Sequence, residues 1–276
     1  MRIDVLLGEA RTAPADVADR VVVVIDVLRA ATTAATAFTN GARVVVPFES
    51  VDDTRRASVA YGRHMVNACE TSNVLTAGER AMVRIPGFDL GNSPLEYTRD
   101  VVDGRTILFT TTNGTAALVA AQRARAIFFA AFVNAVATVR AVGDAIDAHR
   151  DLVGVTIVCA GTDGSVSLED VVCAGRLVRM LVAARSNIRI TDSARIALLA
   201  EQPYVNDLAL LARDATHAHV LATAGFGEDV ECCLAADTVP VAVRFFDGAL
   251  TRVETSEVPG APRCASDGSQ MAAQVN

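Results

Sequence analysis

Two polar, glycine-rich blocks interrupt an otherwise apolar chain. The first holds Gly78-Glu79-Arg80 and Gly87-Phe88-Asp89-Leu90-Gly91-Asn92-Ser93-Pro94, the second Thr110-Thr111-Thr112-Asn113-Gly114-Thr115. A core has no use for three consecutive threonines followed by Asn-Gly. A site for an anion does: hydroxyls of Thr111, Thr112 and Thr115, the Asn113 amide and the free N–H groups of a helix starting near Gly114 make an oxyanion cradle. The block lacks the lysine of a Walker loop, so nucleotide binding in that manner is not expected. Asn-Gly among threonines is also an ordinary turn.

A third candidate is Asp26, which ends the run Val21-Val22-Val23-Val24-Ile25 and precedes Arg29, Thr32 and Thr33. A carboxylate at the carboxyl end of a buried parallel strand faces the crevice where α/β ligands bind. The planar fork of an arginine three residues on suits phosphate or sulfonate. Equally, Asp26 could cap the next helix with Arg29 as a surface partner. Glu79-Arg80 alone would be a solvated pair, but Gly78, Gly87 and Arg84 lie close by in sequence. Capping accounts for Ser93 and leaves Asp89 and Asn92 over, on either side of Gly91. Glu169-Asp170, after Gly161-Thr162-Asp163-Gly164-Ser165, either complement a helix dipole or hold a hard cation through oxygen. His64, His149, His217 and His219 have no zinc-type grouping with cysteine and are expected in structural or surface roles.

The elements that must carry these residues alternate. Strands are expected at Ile3–Leu7, Val21–Ile25, Arg43–Phe48, Val74–Gly78, Thr106–Thr110, Ala126–Phe132 and Leu152–Ala160. Helices are expected at Ala30–Asn40 (closed by Gly41), Ser50–Arg63, from Ser93-Pro94, Gly114–Ala124, Asn134–His149 and Leu168–Ala184. Such alternation predicts an α/β protein whose mostly parallel sheet has helices on both faces. Thr191–Ala236 reads as helical throughout, and Val239–Phe246, Asp247-Gly248 and Ala249–Glu254 as a β-hairpin. The expected organisation is an α/β core over 1–185 with the phosphate and metal site, a helical region and hairpin over 186–255 packing on it, and a loose, disordered tail over 256–276.

Composition narrows the function. Of 276 residues 51% are hydrophobic, 5% are aromatic and none is Trp, so Ala and Val fill the interior. A net charge of −7 with scattered arginines argues against nucleic acid as a partner. An acidic protein that takes an anionic substrate needs local arginine and a divalent cation. Six cysteines without C-x-x-C spacing read as reduced thiols. The start Met1-Arg2-Ile3-Asp4 does not read as a signal peptide, and no apolar run approaches the roughly 18 residues of a membrane span. These features predict a cytoplasmic protein with no membrane partner, and a homodimer is the default assembly.

Taken together, the blocks resemble the 2-phosphosulfolactate phosphatases of coenzyme M biosynthesis. The matching pieces are Asp26-Val27-Leu28-Arg29-Ala30 with Thr32-Thr33, Gly78-Glu79-Arg80, the blocks Gly87–Pro94 and Thr110–Ala116, then Ala160-Gly161, Leu168-Glu169-Asp170 and Asp237-Thr238-Val239-Pro240. They fall in order from Asp26 to Pro240; Ala31 stands where the family usually shows Thr, and the C-terminal tail has no counterpart. The resemblance implies Mg²⁺-dependent removal of phosphate from (R)-2-phospho-3-sulfolactate, a small phosphorylated and sulfonated acid. Asp26, Glu79, Glu169 and Asp170 are then the pool of metal ligands. Asp26, Arg29, Glu79, Arg80 and Asp170 are the catalytic candidates, and Thr32, Asp89, Asn92, Ser93 and Thr111–Thr115 face substrate. Leu28 stands where an aspartyl-phosphate enzyme carries its second acid, which favours water as the nucleophile. Another phosphorylated hydroxy acid, or binding without turnover, are the competing readings.

Overall fold

A computed structural model describes residues 1–8, 17–65, 73–149 and 151–253, with the side chains of 62–65 left undescribed. The expected tail, His64, Cys69 and Cys264 therefore lie outside the described residues or side chains. Continuous Val, Ile and Ala runs form the strands: β1 (Arg2–Leu6), β2 (Arg20–Ile25), β3 (Val44–Pro47), β4 (Val74–Arg80), β5 (Val83–Arg84), β6 (Thr106–Thr110), β7 (Ala126–Ala130), β8 (Gly154–Cys159), β9 (Arg189–Ile190), β10 (Val243–Phe246) and β11 (Ala249–Arg252). They make one sheet in the order β5-β4-β6-β3-β11-β10-β7-β2-β8-β1-β9. Every residue of β2, β6, β7 and β8 is buried, which is why these strands read as unbroken apolar stretches rather than alternating ones.

The helices are α1 (Ala30–Thr39), α2 (Val51–Met65), α3 (Arg99–Val102), α4 (Gly114–Ala120), α5 (Ala135–Ala148), α6 (Leu168–Ala184), α7 (Asp192–Glu201), α8 (Leu210–Asp214), α9 (Thr216–Leu221) and α10 (Gly227–Leu234). The small residues of α1 let it sink into the core, with Ala30 through Ala35 all buried. Ser50 caps α2 through the Asp53 N–H at 3.0 Å. Two expected caps act elsewhere. The Asn134 amide accepts from Ala131 N–H at 2.9 Å and donates to the Phe129 and Val241 carbonyls. After Ser93-Pro94 comes only a single 3₁₀ turn, Pro94–Glu96.

The C-terminal part departs most from the sequence expectation. Residues 191–236 break into four helices joined by a 3₁₀ turn at Gln202–Tyr204 and a wide turn at Ala222–Phe226, where Gly225 has φ +94°. Strands β10 and β11 pair antiparallel with each other and enter the sheet itself, β11 against β3 and β10 against β7. Three successive antiparallel pairings set the parallel block β4-β6-β3 running opposite to the block β7-β2-β8-β1-β9. Sheet twist, ordinarily 20–25° per strand step, accumulates between the blocks, and the carboxyl ends of β2 and β6 meet across the fold.

Helices α6 and α7 pack backbone to backbone. A Cβ on Gly175 would fall 2.1 Å from the Ala197 carbonyl oxygen and 2.9 Å from Glu201 Cβ. No flexible side-chain end is there to give way. Gly175→Val is therefore expected to cost about 3 kcal/mol or more, read as a lower urea midpoint. The described thiols of Cys159, Cys173, Cys232 and Cys233 are free.

Candidate active site

The ends of β2, β4, β6 and β8 open into a cavity of about 910 Å³, which residues of α8 and α9 also line. Asp26, Arg29, Glu79, Arg80, Asn92, Thr111, Thr112, Asn113 and Glu169 all line it, so residues scattered over 140 positions come together. Leu28, Met82, Val166, Leu168, Val220 and Leu221 form an apolar wall, and His217 and Asp163 complete the rim.

Asp26 is the centre of this arrangement. Its carboxylate accepts from Ala30 N–H at 3.1 Å and also from the Gly114 N–H. Burial raises its pKa to about 6, and the Glu79 charge pushes the same way against the pull of those amides and Arg29. Gly114 has a steric role as well: a Cβ there would sit 2.5 Å from Asp26 Oδ2. Glu79 is held by the same threonine block, accepting from Thr112 N–H (3.0 Å), Thr112 Oγ1 (2.9 Å) and Met82 N–H (3.0 Å). The amides expected to cradle an anion are thus engaged with two carboxylates. Thr115 donates back to the Thr111 carbonyl and pins the turn.

Glu169, at the first turn of α6, is buried with its Oε2 lacking any hydrogen-bond partner. Burial and then the Asp26 charge raise its pKa to about 7. Asp170 is different: its oxygens accept from Val27 N–H (2.9 Å) and Gly161 N–H (3.0 Å). It ties the loops after β2 and β8 together and does not line the cavity. Burial, then Glu169 and Asp26, raise its pKa well above the usual carboxylate range.

The two arginines are fixed in contrasting ways. Arg29 pairs with Asp229 of α10 at 2.6 Å, donates to the Met82 carbonyl at 2.7 Å and lies over the Phe226 ring at 4.3 Å. Arg80 has no carboxylate partner among the described residues; it donates to the Glu79 carbonyl (2.7 Å) and Thr110 Oγ1 (3.0 Å). Its charge is left for the cavity.

Several expected substrate contacts are placed behind the cavity. Thr32 donates to the Val27 carbonyl, Ser93 to Asp229 at 2.6 Å, and exposed Asp89 clamps Thr76 through its N–H and hydroxyl, each at 2.8 Å. Asn92 Oδ1 and Thr111 Oγ1, by contrast, are buried on the cavity wall without a partner. Unpaired buried polar atoms are rare and costly. Three such atoms, counting Glu169 Oε2, belong to residues that line this cavity.

Among the described residues, no three Asp, Glu, His or Cys side chains converge as a ready-made metal cage. Mg²⁺ needs no such cage: one or two carboxylates, waters and a substrate phosphate suffice. Asp26 and Glu169, repelling one another and carrying the orphaned Oε2, fit that requirement. The sequence reading gave His217 a structural or surface role and did not single out Asp229. His217 stands on the cavity rim, its pKa lowered by burial. Asp229 reads locally as an ordinary acid in the first turn of a helix.

Residues 8–247 match the family model described as 2-phosphosulpholactate phosphatase. A Clostridium beijerinckii protein named "Probable 2-phosphosulfolactate phosphatase" is 32% identical over 251 residues, 91% of this chain and 99% of that protein. Proteins of the same name from Clostridium botulinum (strain Alaska E43) and Symbiobacterium thermophilum are 35% and 37% identical, over 90% and 87% of this chain and 98% and 97% of theirs. No helix among the described residues is long and apolar enough to cross a membrane.

Proposed function

From its membership of the 2-phosphosulpholactate phosphatase family, to which this chain belongs, we propose that it hydrolyses (R)-2-phospho-3-sulfolactate to 3-sulfolactate and phosphate with Mg²⁺. The observation that carries this reading is the cavity wall itself. Unpaired Asn92 Oδ1, Thr111 Oγ1 and Glu169 Oε2 lie with Arg29, Arg80 and Asp26 around one space. The substrate carries a phosphate, a sulfonate and a carboxylate, and Arg29 and Arg80 bring two guanidinium groups to the space that would receive them.

Asp26 and Glu169 would hold Mg²⁺, which when bound offsets the charge of the phosphoryl oxygens. Arg29 and Arg80 bind phosphate and sulfonate oxygens through charge-assisted hydrogen bonds. Thr111 and Asn92 orient the substrate. Glu79 acts on the loop, fixing Thr112 and Met82. Water attacks phosphorus, the bond from phosphorus to the substrate's C2 oxygen breaks as the new P–O bond forms, and the proton shed by the water ends on the departing oxygen as the 3-sulfolactate hydroxyl. Charge gathers on the equatorial oxygens, where Arg80 opposes it. Leu28 lines the cavity two residues beyond Asp26, where an acid would be needed to protonate a leaving group in aspartyl-phosphate chemistry.

The test is phosphate release from 2-phospho-3-sulfolactate, 2-phospholactate and 2-phosphoglycerate, each with Mg²⁺ and with EDTA. Release from the sulfonated substrate, lost in EDTA and restored by excess Mg²⁺, is expected. Release only from the analogues without the sulfonate would keep the phosphatase and discard the substrate. Release unaffected by EDTA would discard the metal, and no release at all would leave an anion-binding protein.

A further inference from the structure

We infer that Asp229 is the positioning residue that holds the Arg29 guanidinium in its anion-binding pose and away from the cavity's own carboxylates. Arg29 and Asp229 are 200 residues apart in sequence, yet their side chains are 3% and 4% exposed and meet at 2.6 Å. Asp229 is itself fixed by the Ser93 hydroxyl, which donates to its other oxygen at 2.6 Å. The Met82 carbonyl takes a second guanidinium nitrogen and the Phe226 ring covers the group at 4.3 Å. Two of five N–H donors are thereby spent; the other three have no hydrogen-bond partner among the described residues, and Arg29 lines the cavity.

Asp26 is near enough for Arg29 to influence its charge. Without the tether, a desolvated guanidinium in this acid-lined space pairs with Asp26 or Glu79, and an anion then competes for it. The Asp229–Ser93 pair therefore keeps an attractive site charge from being quenched by its neighbours. This role rests on the reading above, in which Arg29 touches substrate oxygens.

The experiment compares wild type, Arg29→Ala, Asp229→Asn and the double variant. Asn keeps the shape and one acceptor; the double variant also removes the buried charge that Asp229→Asn leaves unpaired. Two quantities are read: KM and kcat for 2-phospho-3-sulfolactate, and the Kd for inorganic sulfate by calorimetry. Asp229→Asn is expected to raise KM and the sulfate Kd about 10- to 100-fold. The double variant should be no worse than Arg29→Ala, since Asp229 acts through Arg29. Losses that multiply in the double variant, a lowered melting temperature with KM and Kd unchanged, or tighter sulfate binding in Asp229→Asn would each overturn the role. So would failure of the wild type to bind sulfate. If wild type binds sulfate but releases no phosphate, the phosphatase reading falls and the sulfate Kd alone decides between the same outcomes.

Discussion

Asp26→Asn is expected to lower kcat/KM for the phosphorylated substrate by about 10²–10³-fold while the protein still folds. The loss follows from charge: the carboxylate is the group on which the two parallel blocks converge, and an electrostatic contact in a water-poor site is worth about that much. Folding is spared because the wild-type charge is held against its environment. Burial raises the Asp26 pKa from 3.8 to about 6. A carboxylate whose folded pKa is raised stabilises the fold most below its unfolded pKa, and that contribution is lost as pH rises through the folded value. Measured in EDTA, wild-type stability relative to Asp26→Asn should therefore fall between about pH 4 and pH 6 and level off above. A kcat/KM within threefold of wild type would remove Asp26 from the chemistry. An unchanged stability difference across that pH range would show that its charge is not strained by burial.

How much of this was legible beforehand depends on the range of the interactions involved. The run Val21–Ile25 and the alanine-rich α1 announce themselves, because strands buried on both faces and a sunken helix need apolar residues at every position. Asp26, Arg29, Glu79, Arg80 and the threonine block could be singled out because their polarity conflicts with such surroundings. What each does could not be read the same way. Thr112 and Gly114 look like an anion cradle in sequence, but their N–H groups face Glu79 and Asp26 once the sheet brings β4, β6 and β2 together.

Asp89 looks left over in its own segment and Ser93 looks like a helix cap, yet one clamps Thr76 and the other reaches Asp229. No local pattern encodes a partner 136 residues away. The same holds for strands β10 and β11. Asp247-Gly248, both with positive φ, mark the turn between them in sequence. Their insertion between β3 and β7 is decided by which edges the other strands leave open. Thr191–Ala236, expected to be helical throughout, is cut into four helices, and one of the breaks was locally visible: Gly225 takes the left-handed region that glycine reaches freely.

Gly114→Ala is the sharpest probe of how the site is built. Alanine is the better helix former, by about 1 kcal/mol over glycine in a helix interior, so on propensity alone the change should be harmless. Space decides otherwise. The new methyl would meet Asp26 Oδ2 at 2.5 Å, Phe129 Cζ at 3.1 Å and Ala30 Cβ at 3.2 Å. The last two belong to buried elements that move little, so the carboxylate must rotate or α4 must back away. Either response breaks the Gly114 N–H contact and shifts the charge that the cavity is organised around. A misplacement of about 1 Å is enough to cost around a hundredfold in rate. The expected result is kcat lowered about 10²-fold, with the melting temperature changed by only a few degrees. Serine should do the same, since its Cβ occupies the same space. An alanine variant with normal kcat would mean that Asp26 can move without consequence, and its contact with Gly114 would then be a packing detail rather than part of the catalytic geometry.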